Sequence, residues 1–171
     1  VAHVFRTFQG WTALTEQGPN DGTLQLIPIA KGMSYVLTRA LLDDVPENEL
    51  CGSKAGKALS INEKYHSLLL EGLISIPKMN PGDTIWWHPD VVHAVEEKHQ
   101  GKNYSNVIYV GATPYCKKNI DYIKKQSKKF IEGKSPPDFA PEDYEVDYKG
   151  RVTVNDLSEL AKKQLGLVDW N

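Results

Sequence analysis

The chain has 171 residues, 40% of them hydrophobic and 25% charged, and a formal net charge of −2. This is globular composition with enough chain for a core, so a wholly disordered protein is excluded. The near-neutral charge argues against a large nucleic-acid footprint, and no apolar run reaches the ~18 residues that cross a bilayer.

Val1 stands first in place of a methionine, and strand-like sequence starts at Val4, so we expect upstream sequence and a fragment of a longer protein. The residues given hold no basic-then-apolar run, so we expect no signal peptide among them. Val4 to Thr15 is rich in aromatic and β-branched residues and predicts a strand. Gln17-Gly18-Pro19-Asn20-Asp21-Gly22 is a turn, and Thr23 to Ile29 predicts a second strand, with Pro28 weakening its end. The turn between them suggests a hairpin. Met33, Val36, Leu37 and Ala40, with Leu41 beside them, have helical spacing within Gly32 to Asp43. Pro46 to Leu50 reads as a helical turn, Asn62 to Gly72 as a helix or loop, and Leu73 to Ile76 as a short strand.

Pro81-Gly82-Asp83 is a tight turn into the strand Thr84-Ile85-Trp86-Trp87-His88, which Pro89-Asp90 interrupts before Val91 to Val95 resumes it. Ser105 to Ala112 predicts another strand. Asn119 to Gly133 predicts a basic amphipathic helix with Ile120, Ile123, Phe130 and Ile131 on its apolar side. Asn155 is the predicted N-cap of a last helix reaching Gly166. Cys51 and Cys116 form no disulfide framework and fit a reducing, cytoplasmic compartment.

The densest set of metal-ligand types is His88, Asp90 and His93. Two histidines and one carboxylate suit non-haem Fe(II), because three ligands leave three positions open. On one strand His88 and Asp90 point the same way, roughly 6–7 Å apart at Cα, whereas His93 has the opposite parity. All three converge only if Pro89-Asp90 bends the chain. The competing reading makes His88 and Asp90 turn residues and His93 a core histidine in an apolar strand. His3, His66 and His99 are expected at the surface. Lys117-Lys118, Lys124-Lys125 and Lys128-Lys129 read as a solvated helix face. No phosphate-cradling glycine loop or Gly-x-Ser-x-Gly elbow occurs.

Several segments carry a family resemblance. They are Phe5-Arg6-Thr7-Phe8-Gln9-Gly10-Trp11-Thr12-Ala13-Leu14-Thr15, Asp21-Gly22-Thr23-Leu24-Gln25-Leu26-Ile27-Pro28-Ile29 and the run from Pro81 to His93. With Ser135-Pro136-Pro137-Asp138-Phe139 and Glu142-Asp143-Tyr144-Glu145, they closely resemble the C-terminal part of the YbiU-like proteins. That family is described as Fe(II)/2-oxoglutarate-dependent dioxygenases without an assigned substrate. Gly10-Trp11-Thr12-Ala13-Leu14 with Asp21-Gly22-Thr23-Leu24 more distantly resembles phytanoyl-CoA dioxygenase-like proteins.

The resemblance implies a double-stranded β-helix with His93 as the distal iron ligand, its ring facing inward. It implies that Trp11 borders the 2-oxoglutarate pocket. For the cosubstrate's distal carboxylate, Lys102 stands at the matching distance after His93 but in a loop, and Arg6 and Arg39 are alternatives. Arg6 is preferred for its place on the strand of Trp11, since a guanidinium fits a carboxylate better than an ammonium does. The family's His-x-Asp lies upstream of Phe5, so this chain lacks those two ligands and His88-Pro89-Asp90 is a decoy. The isolated chain is therefore expected to bind Fe(II) poorly and not to turn over 2-oxoglutarate. For the intact protein, the resemblance implies decarboxylation of 2-oxoglutarate to succinate coupled to oxidation of an unassigned small molecule.

The expected architecture is mainly β with C-terminal helices. Residues 1–115 would form the C-terminal part of a jelly-roll (cupin-like) core, and residues 116–171 a helical extension packed on it. Two other functions suit that shape: a metal-free binding module or pseudoenzyme, and a cupin-like isomerase or sugar-binding protein. An incomplete barrel exposes strand edges, so self-association or an N-terminal companion fragment is expected, with neither nucleic acid nor membrane as partner.

Overall fold

Period-two alternation and β-prone residues make Phe8–Ala13 a strand, β1. Trp11 and Ala13 share one face and are 4% and 1% exposed. Three further strands are short: β2 (Leu24–Leu26), β3 (Ile74–Ser75) and β5 (His93–Val95). β4 (Thr84–Trp87) and β6 (Val107–Ala112) are the remaining two. The computed structural model describes residues 4–54, 59–137 and 140–170. His3, Asp138 and Phe139, named above, lie outside the described residues.

The strands make two three-stranded antiparallel sheets, in orders β4-β1-β6 and β3-β2-β5. In the first, Gln9 stands opposite Trp87 on β4 and Gly111 on β6. In the second, Leu26 stands opposite His93 and Leu24 opposite Val95. The predicted β1–β2 hairpin does not form. The intervening turn instead carries the chain from one sheet to the other, held by the reciprocal backbone pair of Gln17 and Met79. Trp11 and Ala13 from one sheet, Leu24 from the other, and Ile76, Met79 and Trp87 fill a common core.

Helices α1 (Ala30–Arg39) and α2 (Glu63–Leu70) lie between β2 and β3. The Asn62 side chain caps α2 by accepting from the Tyr65 N–H, which explains where this helix begins. The predicted apolar face of α1 is corrected: Leu37 and Leu41 are 77% and 79% exposed, while Gly32 and Arg39 are buried. Gly32 lets α1 approach α2, since a Cβ there would come 3.2 Å from Leu69 Cδ1. A short 3₁₀ turn, Leu50–Gly52, brings Cys51 into a second small core with Val45 and Tyr65.

The C-terminal unit holds α3 (Lys117–Glu132) and α4 (Glu159–Gln164). α3 stops at Gly133, whose left-handed φ of 71° suits glycine, and its N–H bonds the Lys129 and Phe130 carbonyls. Asn155 is not the cap of the last helix. It lies in a 3₁₀ turn, Val154–Asp156, closed by a Thr153–Asp156 capping box, and Ser158 caps α4 by accepting from the Ala161 N–H.

The chain divides into Arg6–Ala112 and a second unit, Val1–Phe5 with Thr113–Asn171. The predicted boundary at 115/116 kept the N-terminus with the first domain. The expectation of a mainly β fold gives way to a mixed α/β one, because two helices are inserted between β2 and β3. Among the described residues, no helix is long and apolar enough to cross a membrane.

Candidate functional site

The backbone register fixes which way His93 points. It stands opposite Leu26, and cross-strand partners share a face, so its side chain leaves β5 on the face that Leu24 and Leu26 give to the core. Gln9 shares a face of β1 with Trp11 and Ala13 by the same alternation. The two side chains meet between the sheets, with Gln9 Nε2 3.3 Å from His93 Nε2. The Trp87 ring centroid lies 5.6 Å from that of His93, tilted by 57°. His93 remains exposed as a residue, so it lines an open side of the sandwich rather than its dry centre.

The tautomer follows from the partners. His93 Nδ1 lies 2.7 Å from the Val91 carbonyl oxygen, which can only accept, so Nδ1 carries a proton. In the neutral ring Nε2 then keeps its lone pair, and the Gln9 amide N–H donates to it. This is a tautomer that a metal-binding imidazole can use: one nitrogen is tied to a backbone carbonyl, and the other carries a lone pair, here engaged by Gln9. His93 thus fits a metal as a single ligand. Among the described residues, no three His, Cys, Asp or Glu side chains come together to hold a metal ion.

His88 and Asp90 belong to a turn. The Asp90 N–H donates to His88 Nδ1 at 3.2 Å, and the Val91 N–H closes back on the His88 carbonyl at 3.0 Å. His88 Nδ1 lies 3.6 Å from Asp90 Oδ2. The His88 ring thus accepts within the bend, and the two side chains form no three-ligand group with His93.

The candidates for a carboxylate partner are scattered. Arg6 is half-buried and lies two residues ahead of β1 rather than on it. Lys102 is exposed in the loop between β5 and β6. Arg39 is committed elsewhere. Its Nη atoms grip Asp44 at 2.8 and 2.7 Å, and its Nε–H donates to the Tyr65 carbonyl at 2.7 Å. The Asp44 carboxylate raises the guanidinium's already high pKa, and Arg39 in turn lowers that of Asp44. Trp11 is packed in the core beside Trp87.

Sequence reasoning missed Gln9 and Glu96. The signal for Gln9 was available: a polar residue with the parity of Trp11 and Ala13. Glu96 follows β5 and ties the loop of 20–23 to β3. It accepts from the backbone N–H groups of Asn20, Gly22 and Thr23, at 3.0, 3.0 and 3.2 Å, and from the Ser75 hydroxyl. Burial alone would raise this carboxyl's pKa, and the hydrogen bonds from Ser75 and the three N–H groups hold it below its ordinary value. No sequence spacing relates positions so far apart. His66, expected at the surface, is fully buried between Tyr35 and Tyr65. Its Nδ1 accepts from the Asn62 N–H at 3.2 Å, and Nε2 has no hydrogen-bond partner among the described residues.

A family model described as Gig2-like matches residues 1–167. The chain is 49% identical over 164 residues to the uncharacterized protein YbiU of Escherichia coli (strain K12), covering 96% of this chain and 39% of that protein. A solved structure described as "Putative Oxidoreductase" from Salmonella typhimurium LT2 superposes with a TM-score of 0.86 at 48% identity, over 96% of this chain and 40% of that one. The GlcNAc Inducible Gene 2 protein of Candida albicans superposes with a TM-score of 0.85 at 28% identity, over all of this chain and 42% of its own. The chain spans about two-fifths of the length of these relatives.

Proposed function

This chain belongs to the Gig2-like family, and from that premise we propose that it is the distal-histidine part of a non-haem iron oxidoreductase that uses 2-oxoglutarate and has a jelly-roll core. The observation that carries the reading is His93, with Nδ1–H bound to the Val91 carbonyl and Nε2 left with its lone pair between two facing sheets. The description of the Salmonella relative as an oxidoreductase points the same way. When bound, ferrous iron with 2-oxoglutarate supplies oxygen activation and oxidation of a C–H bond.

The residues of this chain contribute orientation. The Val91 carbonyl fixes the imidazole tautomer, and the Trp87 ring limits its rotation. Trp11 and Trp87 give the inner face an apolar wall. Arg6 is the favoured partner for a cosubstrate carboxylate, because Arg39 is already paired with Asp44. The other iron ligands are not among the described residues, so this chain alone would bind Fe(II) weakly.

Full-length YbiU tests the reading. Purified protein with Fe(II) and 2-oxoglutarate should release succinate, and replacing the histidine that aligns with His93 by alanine should abolish it. Intact protein that binds no iron and forms no succinate would leave the metal-free binding module as the better account. A stoichiometric micromolar iron site in the present chain would contradict the single-ligand arrangement.

A further inference from the structure

A glutamine on the inner face of a central strand needs a reason. Gln9 has Trp87 opposite it on β4 and Gly111, which has no side chain, opposite it on β6. Its amide reaches across to the other sheet and ends on one atom, His93 Nε2. The two sheets share no backbone ladder, so this contact is a polar tie between β1 and β5.

We propose that Gln9 is a positioning residue for His93: its carboxamide and the Val91 carbonyl together hold the ring in the Nδ1–H tautomer, and the carboxamide gives up the Nε2 lone pair when a divalent cation arrives. The first half stands on the two hydrogen bonds alone; the second rests on the reading of His93 as a metal ligand.

The chemistry is specific to a carboxamide of this length. Val91 can only accept, so the ring nitrogen facing Gln9 is the acceptor, and the amide must present N–H rather than C=O. A leucine fills similar space without a donor. An asparagine keeps the amide but falls one methylene short. A cation at Nε2 needs the same lone pair, so the amide must turn aside first. Gln9 thereby weakens binding of a bare ion while keeping the ring correctly aimed.

Nitrogen-15 NMR of the histidine rings in this chain, and in Gln9→Leu and Gln9→Asn, tests the first half. The parent should show His93 protonated at Nδ1, with an Nε2 shift typical of a hydrogen-bonded acceptor. Both variants should move Nε2 toward an unbonded lone pair and admit the other tautomer, with the backbone amide fingerprint retained. An Nε2–H tautomer in the parent, or unchanged His93 shifts in both variants, would overturn the positioning role. Co(II) added alone tests the second half through paramagnetic broadening of the His93 ring. Half-broadening should need roughly 2- to 10-fold less Co(II) in Gln9→Leu, the worth of one lost hydrogen bond. Equal midpoints would overturn the competition. No His93 response to Co(II) in any of the three proteins would overturn the claim that Nε2 of this chain gives up its lone pair to a cation, while the tautomer result would still decide the positioning role.

Discussion

Gly10 lies directly against the Trp86 indole. A Cβ at position 10 would collide with the Ile85 carbonyl oxygen and come 2.8 Å from Trp86 Cδ2. The two residues are paired across β1 and β4, so the indole covers the place where a side chain would stand. Gly10→Ala should therefore push β4 away from β1. The backbone oxygen cannot rotate aside as a side chain would, so we expect a loss of about 1–3 kcal/mol. Urea unfolding measures it, and an unchanged midpoint would show that the strand pair has slack.

Glu96 makes stability depend on acid. Its folded pKa lies below the ordinary 4.5, held there against burial by Ser75 and three backbone N–H groups. The folded state thus releases this proton more readily than the unfolded one. The stabilisation is complete above pH 4.5 and disappears as the pH falls through the lower folded value. Glu96→Gln should cost about 1–3 kcal/mol near neutrality by leaving N–H donors poorly matched. Stability of parent and variant should converge in strong acid, as read by denaturant midpoints across pH.

His66 has a separate acid window. Burial, with the nearby Arg39 charge, pushes its pKa below the ordinary 6.5. Its Nδ1 already accepts a hydrogen bond from Asn62, so a proton arriving there breaks that bond. The folded state resists protonation, and its stability should decline as pH drops below 6.5 toward the folded value. Hydrogen-exchange protection in α1 and α2, taken relative to the intrinsic rate at each pH, should fall in that window while protection in β1 holds. Simultaneous loss of protection in both places would contradict the local origin.

Arg39 is expected to matter for stability and not for a cosubstrate. The fork to Asp44 and the Nε–H bond to Tyr65 need a guanidinium, so Arg39→Lys should lower the melting temperature and Arg39→Ala lower it further. Neither change should alter the His93 ring signals. A perturbed His93 with unchanged melting would return Arg39 to the list of site residues.

The strands were legible because their side chains alternate and their ends are marked. Pro81-Gly82-Asp83 turns the chain before β4, and Val91 to Val95 contains β5. The strand pairing was not legible. β1 and β2 are neighbours in sequence with a strong turn between them, which is the ordinary signature of a hairpin. Their separation into two sheets depends on Met79 meeting Gln17, and on β6 lying beside β1. The α1 face was misjudged for a similar reason. Spacing finds an apolar stripe, but the partner decides which side is covered, and here α2 selects Gly32 and Arg39. Asn155 and Ser158 both carry cap chemistry, and the capping box at Thr153 decided between them. His93 stood out as a residue type, yet its orientation and its contact with Gln9 required both sheets.

The strand order bears on synthesis. β1 takes its partners from β4 and β6, and β2 takes its partners from β3 and β5. Within this chain, every strand that pairs with β1 or β2 lies after Gly72, so these rungs close only once α1 and α2 have been made. Over that stretch β1 and β2 are adjacent in sequence and joined by a turn that invites the wrong match, which slows such non-local folding further.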